Sequence, residues 1–192
     1  NMKFLTYSRW SRNLLTGVVP SEIGRLEKAQ ELWIHRNNLE GTLPTELGSM
    51  KKMNDLRLHF NMFHGTIPEE HFNMTRLRRW DLYDCNFTGT ISTNIQRMGG
   101  LQTYRIRGNK FHGTIPPEMG RLWFLEELWL HKNDFTGEVP AEVCSLRGPR
   151  GITNLRADCG VAHVDEIPKI DCMLGCCTVC CDGEGFCGTN EI

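Results

Sequence analysis

The sequence predicts an α/β solenoid, a stack of short coils that each carry one strand and one helix-like return. Three observations predict it. Glycines recur at Gly17, Gly41, Gly65, Gly89, Gly113 and Gly137, at intervals of 24 residues, within GVVP, GTLP, GTIP, GTIS, GTIP and GEVP. Four residues before each glycine stands Asn13, Asn37, Asn61, Cys85, Asn109 or Asn133. Upstream of that position apolar and polar residues alternate, as in ELWIHRNNL, DLRLHFNMF and ELWLHKNDF. A repeat of this length is one supersecondary unit that cannot bury its apolar face alone, so neighbouring copies must stack into a shared core.

Each element of the coil follows from a column of residues. The alternation turns Leu32 and Ile34, Leu56 and Leu58, Trp80 and Leu82, Tyr104 and Ile106, and Leu128 and Leu130 inward on a short strand. At the turn that follows, the Asn amide can both donate to and accept from backbone groups of adjacent coils. Apolar residues then flank the glycine on both sides: Leu15, Leu39, Phe63, Phe87, Phe111 and Phe135 before it, and Val19, Leu43, Ile67, Ile91, Ile115 and Val139 after it. Glycine permits the tight bend, and the proline beyond stiffens entry to the return. Glu22, Glu46, Glu70, Glu118 and Glu142 sit two residues past the proline, where a carboxylate suits the positive start of a helical turn.

Together these columns resemble the plant-type class of leucine-rich repeats, with consensus LxxLxLxxNxLxGxIPxxLGxL, over about residues 5 to 156. The resemblance implies a right-handed horseshoe or superhelix with a parallel β-sheet on its concave face. Three positions depart from the consensus: Cys85 replaces the ladder Asn, Ser92 replaces the proline, and His71 stands where leucine is expected. These changes are expected to loosen the convex side of the third and fourth copies without breaking the sheet. A seventh coil, ITNLRADCG, fits the pattern with one inserted residue and Asp158 at the ladder position. The solenoid is therefore expected to occupy residues 1–158, with a cysteine-rich cap over 159–192. Arrays of this family begin with a cysteine-paired cap, which is not seen before the first coil here. Further repeats before it, or a partner over it, are therefore expected.

Seven of the nine cysteines crowd the cap: Cys159, Cys172, Cys176, Cys177, Cys180, Cys181 and Cys187. Their density points to an oxidising compartment, and sequons at Asn73 and Asn86 are compatible with glycosylation on a secretory route. CxxC spacing raises the question of zinc, but no matching Cys or His pair stands at zinc-finger distance, so disulfides are expected instead and no metal. With Cys85 as a buried free thiol, Cys144 and the seven cap cysteines make an even set of eight. The LRADCG and CCTVCC segments are similar to the C-terminal caps of secreted leucine-rich repeat proteins from diatoms and related algae.

The 22 basic and 23 acidic residues nearly cancel, so the charge balance offers no reason to expect nucleic acid as a partner. No stretch has the roughly 20 consecutive apolar residues that a membrane-spanning helix needs. Phosphate-cradling glycine loops, nucleophile elbows and HExxH are all missing, so neither catalysis nor a cofactor is expected.

What remains is the outward face of the strands. One column reads Arg9, Trp33, Arg57, Asp81, Arg105, Trp129 and Asn154; the next reads Ser11, His35, His59, Tyr83, Arg107, His131 and Arg156. Trp and Tyr offer flat contact area with a polar handle, and Arg can grip carboxylate or sulfate with two hydrogen bonds. The expected function is extracellular recognition of a protein, peptide or acidic polysaccharide on this face. The alternative is a structural subunit that associates through its uncapped first coil. His35 and His59 should be neighbours, but no carboxylate or cysteine completes a metal site beside them, and His64 and His112 are expected to face solvent.

Overall fold

A computed structural model describes residues 5–148, 151–159, 170–172, 176–181 and 187–189. The alternating segments form a nine-stranded sheet in the order Tyr7–Arg9, Glu31–Trp33, Asp55–Arg57, Arg79–Asp81, Thr103–Arg105, Glu127–Trp129, Asn154–Ala157, Val179–Cys181, Cys187–Thr189. Pairing is parallel from coil to coil, and only the last pair is antiparallel. Ser8 pairs with Leu32, Leu32 with Leu56, Leu56 with Trp80, Trp80 with Tyr104 and Tyr104 with Leu128, so register advances by 24 residues per coil.

Each coil has three sides. The segments that run up to the glycines form a second parallel sheet of six strands: Thr16–Val18, Asn38–Gly41, Met62–Gly65, Asn86–Gly89, Lys110–Gly113 and Asp134–Phe135. Sequence periodicity alone read these segments as bends. Returns are 3-10 helices at Ser21–Arg25, Thr45–Ser49, Glu69–Asn73, Thr93–Arg97 and Pro117–Arg121, then an α-helical turn at Ala141–Cys144. None of the described helices is long and apolar enough to cross a membrane.

Two glycine slots show why the repeat is so strict. Gly65 has φ of +80°, and a Cβ there would lie 2.9 Å from Thr42 Cγ2 of the previous coil. On the helical side, a Cβ on Gly48 would stand 2.2 Å from the Glu70 carbonyl oxygen, so the returns pack backbone to backbone.

All ten inward strand residues predicted above are buried. Behind them Phe63, Phe87, Phe111 and Phe135 stack with centroid separations of 6.1, 6.3 and 6.2 Å, a spine through the second sheet. Burying side chains of this size supplies roughly 1.5–3 kcal/mol each, the main force that holds coil to coil.

The Asn ladder satisfies backbone groups that the turn leaves unpaired. Asn61 Nδ2 donates to the Leu58 carbonyl of its own coil and the Ile34 carbonyl of the previous one, and its Oδ1 accepts from Leu39 N–H. Asn37, Asn109 and Asn133 repeat the pattern. Asn13 donates to the Trp10 and Ser11 carbonyls of its own coil. Cys85 takes the slot with a thiol 3.7 Å from the Leu58 carbonyl, and burial pushes that thiol's pKa up to about 12.

The departures from consensus are accommodated rather than loosening the convex side. His71 is fully buried, with Nε2 2.8 Å from the Pro44 carbonyl and a ring near Trp80. Burial lowers its pKa, which favours a neutral ring donating to that carbonyl. Ser92 compensates for the lost proline by accepting from Asn94 N–H and donating to Glu69.

At the C-terminal end, Cys144 bonds Cys176, Cys159 bonds Cys180, and Cys172 bonds Cys177. Cys181 is also disulfide-bonded, and Cys85 is a free cysteine. The side chain of Cys187 lies outside the described residues. Val179–Cys181 hydrogen-bonds to the seventh concave strand, so the disulfide-rich segment continues the main sheet.

A candidate recognition face

Because side chains alternate across a strand, every second residue of the main sheet points away from the core and lines up with its counterparts in adjacent coils. Arg9, Trp33, Arg57, Asp81, Arg105 and Trp129 form one such column. The seventh member is Arg156, not Asn154. Trp129 pairs with Arg156 and Glu127 with Asn154, an advance of 27 residues instead of 24. The inserted residues all fall before the strand, which moves Arg156 out of the histidine column where the one-residue insertion had placed it. Asp158 is carried along, and its carboxylate accepts from Lys132 and Asn133 N–H, a ladder-like role from a shifted position.

Within the column guanidinium and indole groups interleave. Arg9 and Arg57 approach Trp33 from the two neighbouring coils, each 4.1 Å from the ring centroid. Arg105 and Arg156 do the same to Trp129, at 4.4 and 4.8 Å. Each such stack stabilises by about 0.5–2 kcal/mol. Asp81 sits at the centre with its side chain only 2% exposed and 3.4 Å from Arg105. Burial raises its pKa, while Arg105 and Arg79 oppose the shift.

A third column, missed in the sequence, neutralises the arginines. Glu31 pairs with Arg9 at 2.6 Å, Asp55 with Arg57 at 2.6 Å, and Glu127 with Arg105. Two-residue periodicity could have found it, since Glu31, Asp55 and Glu127 stand two residues before Trp33, Arg57 and Trp129 on the same side of the strand. In the turn beyond, Asp84 holds Arg107 at 2.7 Å.

The second predicted column closes into a ring stack. His35 and His59 are 4.3 Å apart, and His59 and Tyr83 4.1 Å, both within 14° of coplanar. Arg107 covers Tyr83 from the next coil, 4.9 Å from its ring centroid. His131 lies farther along, 6.3 Å from Trp129. Burial, reinforced by nearby arginines, holds His59 down to about 3 and His131 to about 4, and lowers His35 as well. Nδ1 of all three histidines and Nε1 of Trp33 and Trp129 are buried without a hydrogen-bond partner. The rings are therefore packed and uncharged at neutral pH. His64 and His112 are exposed on the second sheet, away from this face.

The Leucine Rich Repeat family matches residues 28–50 and 124–146. No curated protein matches the chain. Among solved structures, the chain is similar to the ectodomain of the receptor kinase HAESA from Arabidopsis, solved with the peptide hormone IDA and the co-receptor SERK1. That match has 31% identity and a TM-score of 0.75 and covers 80% of this chain. It is also similar to the ectodomain of the Arabidopsis receptor kinase GASSHO1/SCHENGEN3, solved with CASPARIAN STRIP INTEGRITY FACTOR 2, at 28% identity, TM-score 0.75 and 80% coverage. A plant ice-binding protein shares the fold at 24% identity and TM-score 0.67, over 82% of this chain and 47% of its own. The chain spans 26% and 18% of the two receptor ectodomains.

Proposed function

We propose that this chain, a leucine-rich repeat protein, is an extracellular recognition module that takes a protein or peptide ligand across its concave face. Its extracellular location agrees with the disulfides and with the receptor ectodomains it resembles. HAESA, solved with the peptide hormone IDA, supports a peptide-binding role here.

The interleaved column from Arg9 to Arg156 carries the reading. Its side chains are already packed and ion-paired, so little conformational freedom remains to be lost when a ligand arrives. Its Trp and Arg are residue types of binding hot spots, as is Tyr83 in the adjoining column. A polysaccharide fits less well. Both sides of Trp33, Trp129 and Tyr83 are occupied by neighbouring groups, which leaves ring edges and guanidinium edges outward and no open aromatic face for a sugar ring. Asn86 is exposed on the second sheet and Asn73 ends a 3-10 helix, so glycans at either sequon would leave the concave face clear.

The test is selection of a displayed random peptide library on the folded protein, with a glycan array in parallel. Peptides enriched on the wild type should lose at least tenfold in affinity for a variant carrying Trp33→Ala, Arg57→Ala, Arg105→Ala and Trp129→Ala, which should still give a folded circular dichroism spectrum. Equal affinity, or binding to glycans alone, would overturn the reading. Light scattering without ligand separates it from the assembly alternative, which requires association through exposed first-coil residues such as Leu14 and Val18.

A further inference from the structure

One slot of the repeat breaks its own pattern on the edge that leads into the concave strands. The two residues that follow the buried end of each 3-10 return are Glu27 and Lys28, Lys51 and Lys52, Thr75 and Arg76, Gly99 and Gly100, then Trp123 and Phe124. The other coils act as internal controls: four hold charged, polar or small residues at this backbone position, so the fold does not require aromatics there. Trp123 and Phe124 are nonetheless 69% and 62% exposed, side by side. Large apolar side chains grouped on a soluble surface mark an interaction site more often than an idle one.

Along the same edge runs a groove of about 480 Å³ lined by Gln30, Lys52, Asn54, Arg76, Arg78 and Gly100. It contains three cations and no carboxylate. The contrast with the concave face is direct: Arg9, Arg57, Arg79, Arg105 and Arg107 all have acidic partners, whereas Lys52, Arg76 and Arg78 have none among the described residues. Gly100 lines the groove and stands between Arg76 and Phe124 in coil order.

We propose that this edge is a second docking surface, for an acidic protein segment that carries an apolar residue beyond its carboxylates. Charge complementarity selects the acidic half, since exposed cations that hold no internal carboxylate can pair with one from outside. Spacing sets the rest. Arg76 and Phe124 are two coils apart, roughly 10 Å at the strand spacing. An extended chain covers that distance in about three residues. A bilayer is a poorer occupant: the cations line a recess between coils while the aromatics project at one end, and a flat anionic surface cannot meet both.

The probes are synthetic peptides with paired glutamates followed three residues later by Leu-Phe. Controls replace the glutamates with glutamine, replace Leu-Phe with serine, or scramble the order, and phosphatidylserine vesicles test the membrane. Binding to the full chain is read by calorimetry at low and high salt. The acidic, apolar-tipped peptides should bind at least tenfold tighter than every control and weaken with salt. Lys52→Gln with Arg76→Gln, and Trp123→Ser with Phe124→Ser, should each cost at least tenfold with unchanged melting, while Trp33→Ala leaves this binding intact. Peptide binding no better than the scrambled control, or unaffected by both paired variants, overturns the proposal. Vesicle binding that exceeds peptide binding and disappears with Trp123→Ser and Phe124→Ser also overturns it, and assigns the edge to membranes.

Discussion

Asn109 shows how much a single ladder position contributes. Its amide accepts from Phe87 N–H and donates to the carbonyls of Leu82 and Ile106, all buried. Asn109→Ala removes these bonds and strands the backbone groups, at about 1–3 kcal/mol for each buried group left unpaired. Urea denaturation should therefore show a loss of at least about 2 kcal/mol. At Cys85 the converse holds. The thiol sits 3.7 and 3.8 Å from two carbonyls, a weak substitute for an amide, so Cys85→Asn should be neutral or stabilise by up to about 1 kcal/mol. A loss of several kcal/mol would show that this slot has been reshaped around sulfur. Ladder positions were legible in the sequence because their chemistry needs one residue type at one phase. The partners of Asp81 were not, because its burial among Arg57, Arg79 and Arg105 depends on side chains from three separate coils.

At the level of the element, the stacked column makes stability depend on pH. His59 and His131 have folded pKa values of about 3 and about 4 against an ordinary 6.5, so each ring takes up a proton on unfolding. Their contribution is fully present above pH 6.5 and is lost as pH falls toward those folded values. The slope is about 1.4 kcal/mol per pH unit for each ring. Urea midpoints should fall between pH 7 and pH 5, and the double variant His59→Gln, His131→Gln should flatten that dependence. An unchanged slope in the double variant would place the titrating groups elsewhere. Periodicity assigned these columns correctly through six coils because each strand follows its predecessor by 24 residues. It failed at the seventh. An insertion changes register according to where its extra residues loop out, and the residues before Asn154 carry no columnar signal to locate them. The second sheet was likewise invisible, since strands of two to four residues beside a glycine look like turns in sequence.

The whole molecule is a one-dimensional stack in which each coil is supported by its neighbours, so its ends are its weak points. Cys144–Cys176 closes a 32-residue separation and ties the last helical turn to the cap. Removing it with Cys144→Ser and Cys176→Ser should cost about 3–4 kcal/mol by loop entropy. Hydrogen exchange should place the loss at the C-terminal strands first; uniform loss along the array would mean that the coils unfold as one unit. The concave column has a further consequence for any ligand laid along it. From Arg9 to Arg156 it reads Arg, Trp, Arg, Asp, Arg, Trp, Arg, the same from either end. By residue type, such a row offers a ligand's head and tail the same side chains. That polarity falls to the adjoining row, which is lopsided: stacked His35, His59 and Tyr83 fill one half, and Arg107 and His131 the other.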